Sequence, residues 1–204
     1  MHTVRIHGRG GQGVVTAAEL LSMAAFTDGL HAQAFPSFGS ERMGAPVTAF
    51  CRIDHHVIRT REAVTYPDAL IVQDPTLLHQ VQLFAGLSRD GYVIINSTFS
   101  PDELGIGDFL KSIPTGHLCV IPASDIAVKH LKRPIANTPL LGAFAAITGV
   151  IGLESIQSAI RKRFPGSLGE ANAAAAKGGY DHVVARLPQD LDQEGSDSHH
   201  ARAN

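Results

Sequence analysis

The chain has 204 residues, with 17 Lys and Arg against 19 Asp and Glu, 11 His, 2 Cys and no Trp. The length predicts one large domain, and the net charge of −2 argues against a nucleic-acid surface, which would carry a basic excess. Two Cys are too few for a disulfide framework or an iron–sulfur cluster, so we expect buried thiols in a reducing compartment.

The sequence predicts neither a signal peptide nor a membrane span. Its first residues, MHTVRIHGRGG, contain no apolar core of the secretory kind. The longest apolar-rich stretch, residues 140–153, falls short of the roughly 18 residues that a membrane helix needs. We therefore expect a cytoplasmic protein without membrane contacts.

The first predicted unit is a strand, a glycine turn and a helix. Residues 4–6 form a short β-like run, and the glycine-rich stretch 8–13 follows. Apolar residues then recur at helical spacing until Gly29, which fits a left-handed cap. A second strand is predicted at residues 31–35.

The middle of the chain predicts a loop and a hairpin. Residues 35–46, FPSFGSERMGAP, are rich in Gly, Pro and polar groups and predict an exposed loop. Residues 47–53 alternate as a strand does, and Asp54, His55 and His56 then suggest a turn into a second strand at residues 57–58. Further apolar strands are predicted at residues 69–72, 92–95 and 118–121, and helices at residues 76–87, 124–132, 139–150, 154–164 and 168–176.

Strands that alternate with helices predict an α/β domain with a mostly parallel sheet, covered on both faces, and an antiparallel edge hairpin. This single domain is expected to span residues 1–186, followed by a mobile tail at residues 187–204. Thr138 and Pro139 suggest the N-cap and first position of a helix. Because that helix is apolar on all sides, we expect one of its faces to meet another subunit.

The glycine turn satisfies G-x-G-x-x-G through Gly8, Gly10 and Gly13. Such a turn lets the backbone approach a ligand, and the N–H groups that open the following helix attract anions. Arg9 would add a positive charge. The acidic residue that binds a ribose should lie about 20 residues on, but residues 32–35 read AQAF. Nicotinamide-dinucleotide binding and a purely structural role for the glycines both stay open, whereas a Walker A loop is excluded because no Lys-Ser or Lys-Thr follows.

Four segments together resemble a known family. GRGGQGVVTAAELLSMAAFTDG, FPSFGSERMGAPVTAFCRID, PDALIVQD and NTPLLGAFAAITGVI are similar to the γ subunit of 2-oxoacid:acceptor oxidoreductases, of which pyruvate:ferredoxin oxidoreductase is one. The match runs in order over residues 4–180. The GAPV ending of the second segment resembles the pyruvate branch of this family.

The resemblance implies a Rossmann-like three-layer chain within a larger enzyme that converts a 2-oxoacid and coenzyme A to acyl-CoA and CO2. In that family thiamine diphosphate, with Mg²⁺, is held by α and β subunits. A ferredoxin-like δ subunit carries iron–sulfur clusters, and a ferredoxin or flavoprotein accepts the electrons. The γ chain would hold no cofactor alone, have no catalytic residue and help to enclose coenzyme A.

The family motif assigns a set of cofactor-binding residues, namely Gly8, Arg9, Gly10, Gly11, Gln12, Gly13, Ser40, Glu41 and Arg42. Met43 departs from the pattern, since many relatives have a second Arg there. Arg42 is expected to bind a coenzyme A phosphate or a partner carboxylate, with a pair to Glu41 as the alternative. Gln12 would bind a ligand or cap the turn.

Other interpretations carry less weight. Adjacent His at residues 55–56 and 199–200 do not have the spacing of a metal site, so no metal is expected. The alternatives for the whole chain are an autonomous NAD(P)-binding oxidoreductase and a non-catalytic scaffold module. Neither would require the partner subunits that the resemblance implies.

Overall fold

A six-stranded sheet in the order β2-β3-β1-β4-β5-β6 forms the centre of the computed structural model, which describes residues 1–37 and 43–187. The strands are β1 His2–Arg9, β2 His31–Pro36, β3 Pro46–Asp54, β4 Ala69–Val72, β5 Tyr92–Asn96 and β6 Leu118–Ile121. The helices are α1 Val14–Thr27, α2 Gly107–Leu110, α3 Ala123–Leu131, α4 Asn137–Thr148, α5 Leu153–Arg163 and α6 Ser167–Val184, with a 3₁₀ helix at Pro75–His79. The predicted α/β class is confirmed.

The sheet is mostly parallel, and β3 runs in the direction opposite to the other five strands of the sheet. β1, β4, β5 and β6 pair in parallel, whereas β3 pairs antiparallel with both β1 and β2. The predicted antiparallel edge is therefore present, but the hairpin at residues 57–58 is wrong. Both edges of β3 are already paired, so the residues that follow Asp54 leave the sheet.

The central strands bury both of their faces. In β4, Ala69 and Ile71 pack in the cluster formed with α1, α4, α5 and α6, while Leu70 and Val72 pack on the other side with the 3₁₀ helix. Strands buried on both faces read as continuous apolar runs, which is why ALIV was recognised as a strand.

Helix α1 matches its prediction closely. It ends at Thr27, and Gly29 adopts a left-handed φ of 75°. Asp28 then ties this end to the start of α5, because its carboxylate accepts from the Gly152 N–H at 2.9 Å and from the Ser155 hydroxyl. The C-terminal end of the first unit is thus fixed to α5.

The predicted helix after Pro75 is wrong beyond its first turn, since the 3₁₀ helix ends at His79. The carbonyls of Leu83 and Ala85 each accept from Arg5 Nη2 at 2.7 Å, and the first of them would accept from residue 87 in the predicted helix. A residue of β1 therefore holds this segment in a non-helical course. Sequence periodicity cannot register such a distant donor.

Helix α4 differs from prediction at its start and in its cover. It begins at Asn137 after Ala136, so Thr138 lies inside the helix, where its hydroxyl donates to Asn172 Oδ1 at 3.2 Å. Residues 137–145 are buried against elements of the same chain, chiefly α6. The expectation that a second subunit covers this helix is therefore wrong.

Helix α6 runs to Val184, well past the predicted end at residue 176. Gly178 and Gly179 lie inside this helix and do not end it. At Gly179 a side chain would not fit, because a Cβ there would lie 1.9 Å from the Pro139 carbonyl oxygen. Residues 188–204 of the predicted tail, like residues 38–42 of the predicted loop, lie outside the described residues.

Candidate functional site at the glycine turn

The glycine turn joins β1 to α1, and its backbone requires glycine. Gly11 and Gly13 adopt φ values of 94° and 75°, which other residues rarely reach. At Gly8 a Cβ would lie 2.6 Å from Val14 Cγ2, so a side chain there would separate the strand from the helix. Backbone conformation and packing therefore explain part of the G-x-G-x-x-G motif without a ligand.

Gln12 binds the turn rather than pointing away from it. Its Oε1 accepts from the Arg9 N–H at 2.7 Å, and its Nε2 donates to Asp74 Oδ2 at 2.9 Å. Of the two roles left open by the sequence, the structure shows the cap. The side chain also links the turn to the residue that follows β4.

All three guanidinium nitrogens of Arg9 contact groups of the same chain. Nε pairs with Asp74 Oδ2 at 3.1 Å, and Nη1 donates to the Gly44 carbonyl at 3.0 Å. Nη2 donates to Thr76 Oγ1 at 2.7 Å and to Gln80 Oε1 at 2.9 Å. The charge of Arg9 is therefore neutralised by an internal carboxylate, and its role here is to hold the turn in place.

Asp74 is the centre of this network, and sequence reasoning missed it. Burial raises the pKa of its carboxyl, but hydrogen bonds from Thr76 and Gln12 and the charge of Arg9 outweigh burial and lower it. Asp74 also accepts from the Thr76 N–H at 3.0 Å and so begins the 3₁₀ helix. The available signal was the Asp-Pro pair one residue after the end of a buried strand.

The end of the second family motif meets the glycine turn. The Gly10 N–H donates to the Ala45 carbonyl at 2.9 Å, and the Gly44 N–H donates to the Gly10 carbonyl at 3.1 Å. Main-chain hydrogen bonds thus bring the glycine turn and the end of the segment 35–46 together. Ser40, Glu41 and Arg42, which belong to the same predicted site, lie outside the described residues.

An open cleft of about 490 Å³ lies between these two segments. Its walls are mostly small or apolar and contain no acid among the described residues: Arg9, Gly10, Gly11, Gly13, Val14, Val15, Thr16, Met43 and Val47. Helix α1 opens onto the cleft without a side-chain cap or an acidic residue in its first turn. Its first N–H groups and the positive end of its dipole make this cleft suited to an anionic group.

The neighbouring crevice, between the carboxyl ends of β1 and β4, is the place where doubly wound sheets usually bind dinucleotides. In this chain the Arg9–Asp74 pair fills it. Moreover, β3 separates β2 from β1, so the end of β2 does not lie beside the turn, where a ribose-binding acid would be needed. The geometry therefore gives no support to the nicotinamide-dinucleotide hypothesis.

The described residues contain neither a cluster of metal ligands nor a membrane-spanning helix. No group of three or more His, Cys, Asp or Glu is placed to hold a metal ion, among residues 1–37 and 43–187. No helix in the same ranges is long and apolar enough to cross a membrane.

The fold and the cleft define a Rossmann-like α/β chain whose glycine turn opens onto an anion-accepting cleft. The sequence model of the pyruvate ferredoxin/flavodoxin oxidoreductase family matches residues 3–182. The chain belongs to this family, in agreement with the resemblance found in its motifs.

The relatives that the chain resembles are subunits of 2-oxoacid oxidoreductases. It is 49% identical over 184 residues to the pyruvate/ketoisovalerate oxidoreductases common subunit gamma of Thermococcus kodakarensis, covering 90% of this chain and 98% of that one. It is 47% identical over 183 residues to pyruvate synthase subunit PorC of Methanothermobacter thermautotrophicus, covering 90% and 96%. The crystal structure of pyruvate oxidoreductase subunit PORC from Thermotoga maritima superposes with a TM-score of 0.74 at 40% identity, covering 88% of this chain and 95% of that one. Like these relatives, the chain is a subunit of a 2-oxoacid oxidoreductase.

Proposed function

We propose that this chain is the γ subunit of a cytoplasmic, thiamine-diphosphate-dependent complex that converts a 2-oxoacid and coenzyme A to acyl-CoA and CO2. Its partners would be α, β and ferredoxin-like δ subunits, which hold the thiamine diphosphate, Mg²⁺ and iron–sulfur clusters. A ferredoxin or flavoprotein would take the electrons. Support comes from the common γ subunit at 49% identity and from the PorC relatives.

The cleft beside the glycine turn carries the second half of the proposal, a share in enclosing coenzyme A. A phosphate group suits the uncapped start of α1, since its N–H groups donate to anions and no described acid opposes one. The apolar walls, including Met43 and Val15, suit the less polar parts of the same molecule. This chain would bind and orient coenzyme A, while the chemical steps take place on the partner subunits.

Copurification tests the assembly. A tagged full-length chain, expressed in its native cell, should recover subunits that contain thiamine diphosphate and iron–sulfur clusters. A stable, colourless monomer without such partners would contradict the proposed γ role.

Thr16 offers a sharper test of the cleft, because it lines the cleft in the first turn of α1. Thr16→Glu would place a carboxylate where the helix dipole favours it, so the helix should not be weakened. The same carboxylate should repel a phosphate. We expect Thr16→Glu to raise the KM for coenzyme A by roughly tenfold, which is equivalent to about 1.4 kcal/mol, with the KM for the 2-oxoacid unchanged.

Thr16→Gln is the matched control, since it has nearly the same shape without the charge. It should change the KM for coenzyme A much less than Thr16→Glu does. Equal effects of the two variants would rule out an anion at this position. Loss of assembly would instead be seen directly by copurification.

The loop residues assigned by resemblance remain part of this proposal. Arg42 would bind a phosphate of coenzyme A, with Ser40 and Glu41 beside it. In the same assay, Arg42→Ala should raise the KM for coenzyme A more than the KM for the 2-oxoacid. An unchanged dependence on coenzyme A would remove Arg42 from the site.

A further inference from the structure

The face of the sheet that points away from α1 carries buried charge where β1 meets β3. Val4 and Ile6 pack toward the helices, and the alternating residues Arg5 and His7 therefore face the opposite side. Arg52 of β3 lies on that same side, opposite Thr3 and therefore diagonal to Arg5, whose own partner is Phe50. Arg5 and His7 are each 9% exposed and Arg52 is 5% exposed.

The two guanidinium groups are bound only by main-chain carbonyls among the described residues. Arg5 Nη2 donates to the carbonyls of Leu83 and Ala85, and Arg5 Nη1 donates to the Val64 carbonyl at 3.4 Å. Arg52 Nη2 donates to the Glu62 carbonyl. No carboxylate of residues 1–37 or 43–187 forms an ion pair with either group. Burial lowers the pKa of both Arg5 and Arg52, and at Arg52 the Glu62 carboxylate opposes part of this effect without forming an ion pair.

Three buried nitrogens on this face remain without a partner in the described part of the chain. They are Arg5 Nε, Arg52 Nη1 and His7 Nε2, of which the two guanidinium nitrogens are donors whatever the tautomer of His7. Nearly all buried polar groups in proteins are hydrogen-bonded, so the two arginine donors indicate a missing acceptor. The rings of Phe35 and Phe50, with centroids 5.3 Å apart, border the patch, and Arg52 Cζ lies 5.1 Å from the Phe35 centroid.

A segment that we term the strap, residues 55–66, covers the patch. Among the described residues, no backbone–backbone hydrogen bond joins the strap to the rest of the chain. Side chains hold it instead, through Arg5 and Arg52 and through the Thr3 hydroxyl, which donates to the Tyr66 carbonyl at 3.1 Å. Val64 is its only buried residue, so the strap can lift without disrupting the sheet.

We propose that the patch beneath the strap is a binding site for a small carboxylate, separate from the cleft at the glycine turn. The carboxylate accepts from Arg5 Nε and Arg52 Nη1, the two guanidinium nitrogens without a partner. A carboxylate fits because it has two acceptor oxygens, one for each of these donors, and the aromatic border accepts a small apolar body. The strap opens to admit the ligand and closes over it.

Acetate is the probe, and the arginine Nε–Hε signals of the full chain are the readout. Acetate is added in exchange for chloride at constant ionic strength, and the ¹H–¹⁵N signals of Arg5 and Arg52 are followed. We expect saturable shifts of both signals. Arg52→Gln should abolish the saturation seen at Arg5, whereas Arg161→Gln, which changes an arginine in a surface ion pair, should leave it intact.

A second measurement needs no variant and so survives a failure of Arg52→Gln to fold. Hydrogen exchange of the amides of residues 55–66 in the wild-type chain should slow several-fold in acetate relative to chloride. Signals that do not saturate, together with unchanged exchange, would show that Arg5 Nε and Arg52 Nη1 bind ordered water only and would overturn the proposal.

Discussion

His7 shows how a single residue can make the stability of this chain depend on pH. It lies on β1 with its Nδ1 3.2 Å from Thr48 Oγ1. Burial, together with the nearby charge of Arg5, lowers its pKa to about 4. The ordinary value in an unfolded chain is about 6.5, so between these two values the unfolded state binds more protons than the folded state.

The free energy of unfolding should therefore fall as the pH falls from about 6.5 to about 4. A difference of this size in the pKa of one group corresponds to about 3 kcal/mol. In His7→Asn, which keeps a polar atom near Thr48 but cannot ionise in this range, that loss should be absent. Urea unfolding at several pH values measures the effect.

His2→Asn is the control, because His2 lies on the same strand and is exposed. It should keep the pH dependence of the wild type. If His7→Asn and His2→Asn follow the same curve, His7 does not carry this part of the acid sensitivity.

At the scale of elements, α4 and α6 are held together by glycines that let the two backbones touch. A Cβ at Gly142 would lie 1.8 Å from the Ala176 carbonyl oxygen. Gly179 makes the reciprocal approach to Pro139. Backbone atoms cannot move aside as a side-chain tip can, so an added methyl group must separate the helices.

Gly142→Ala should destabilise the chain by about 1–3 kcal/mol or more, even though alanine favours a helix over glycine. Thermal unfolding of the purified full chain would measure the loss. Gly152→Ala is the matched control: its φ is −69°, and the nearest atom to an added Cβ is 3.8 Å away. A Gly142→Ala chain as stable as the wild type would show that the two helices can accommodate the added methyl group at no cost.

The sequence predicted those elements whose structure is decided locally. Helix α1 and strands β4 and β6 follow from periodicity, short apolar runs and end signals, and their bounds were predicted closely. The pairing of β3 with β1 was not predicted, because it joins residues that are 37 to 51 positions apart in the sequence. The helix after Pro75 failed for a similar reason, since Arg5 takes the carbonyls at residues 83 and 85 from β1.

The sequence likewise predicted only those parts of the candidate site that are encoded in short stretches. The motifs located the glycine turn and the segment that meets it, because both signals lie within short stretches of sequence. The roles of Arg9 and Gln12 could not be predicted, since they depend on Asp74, which follows another strand. The cleft itself exists only once β1, α1 and β3 are in place.

At the scale of the whole molecule, the two cysteines lie in different parts of the sheet, one inside it and one at its edge. Cys51 is fully buried in β3, which is paired on both sides. Cys119 is partly buried in the edge strand β6, and burial raises its thiol pKa to about 12. Burial raises the pKa of Cys51 still further, so neither thiol is a reactive thiolate in the folded chain.

We expect iodoacetamide to modify neither thiol rapidly in the native chain at pH 8, and both in urea. Under native conditions Cys119 should react first, because local opening of an edge strand suffices, whereas Cys51 requires opening of the centre of the sheet. Mass spectrometry of the modified chain measures both rates, and Cys119→Ala isolates the signal of Cys51. Faster modification of Cys51 would contradict this ranking of local stability.

The ion pair between Arg9 and Asp74 also bears on protein engineering. A glycine fingerprint invites attempts to graft nicotinamide specificity onto this scaffold by adding an acid at the end of β2. That acid would stand on the far side of β3, while the natural crevice would still be plugged by the guanidinium and its carboxylate. A designer would first have to remove Asp74, and with it the support of Gln12 and the turn. The scaffold thus resists conversion to a dehydrogenase through its topology as much as through its residues.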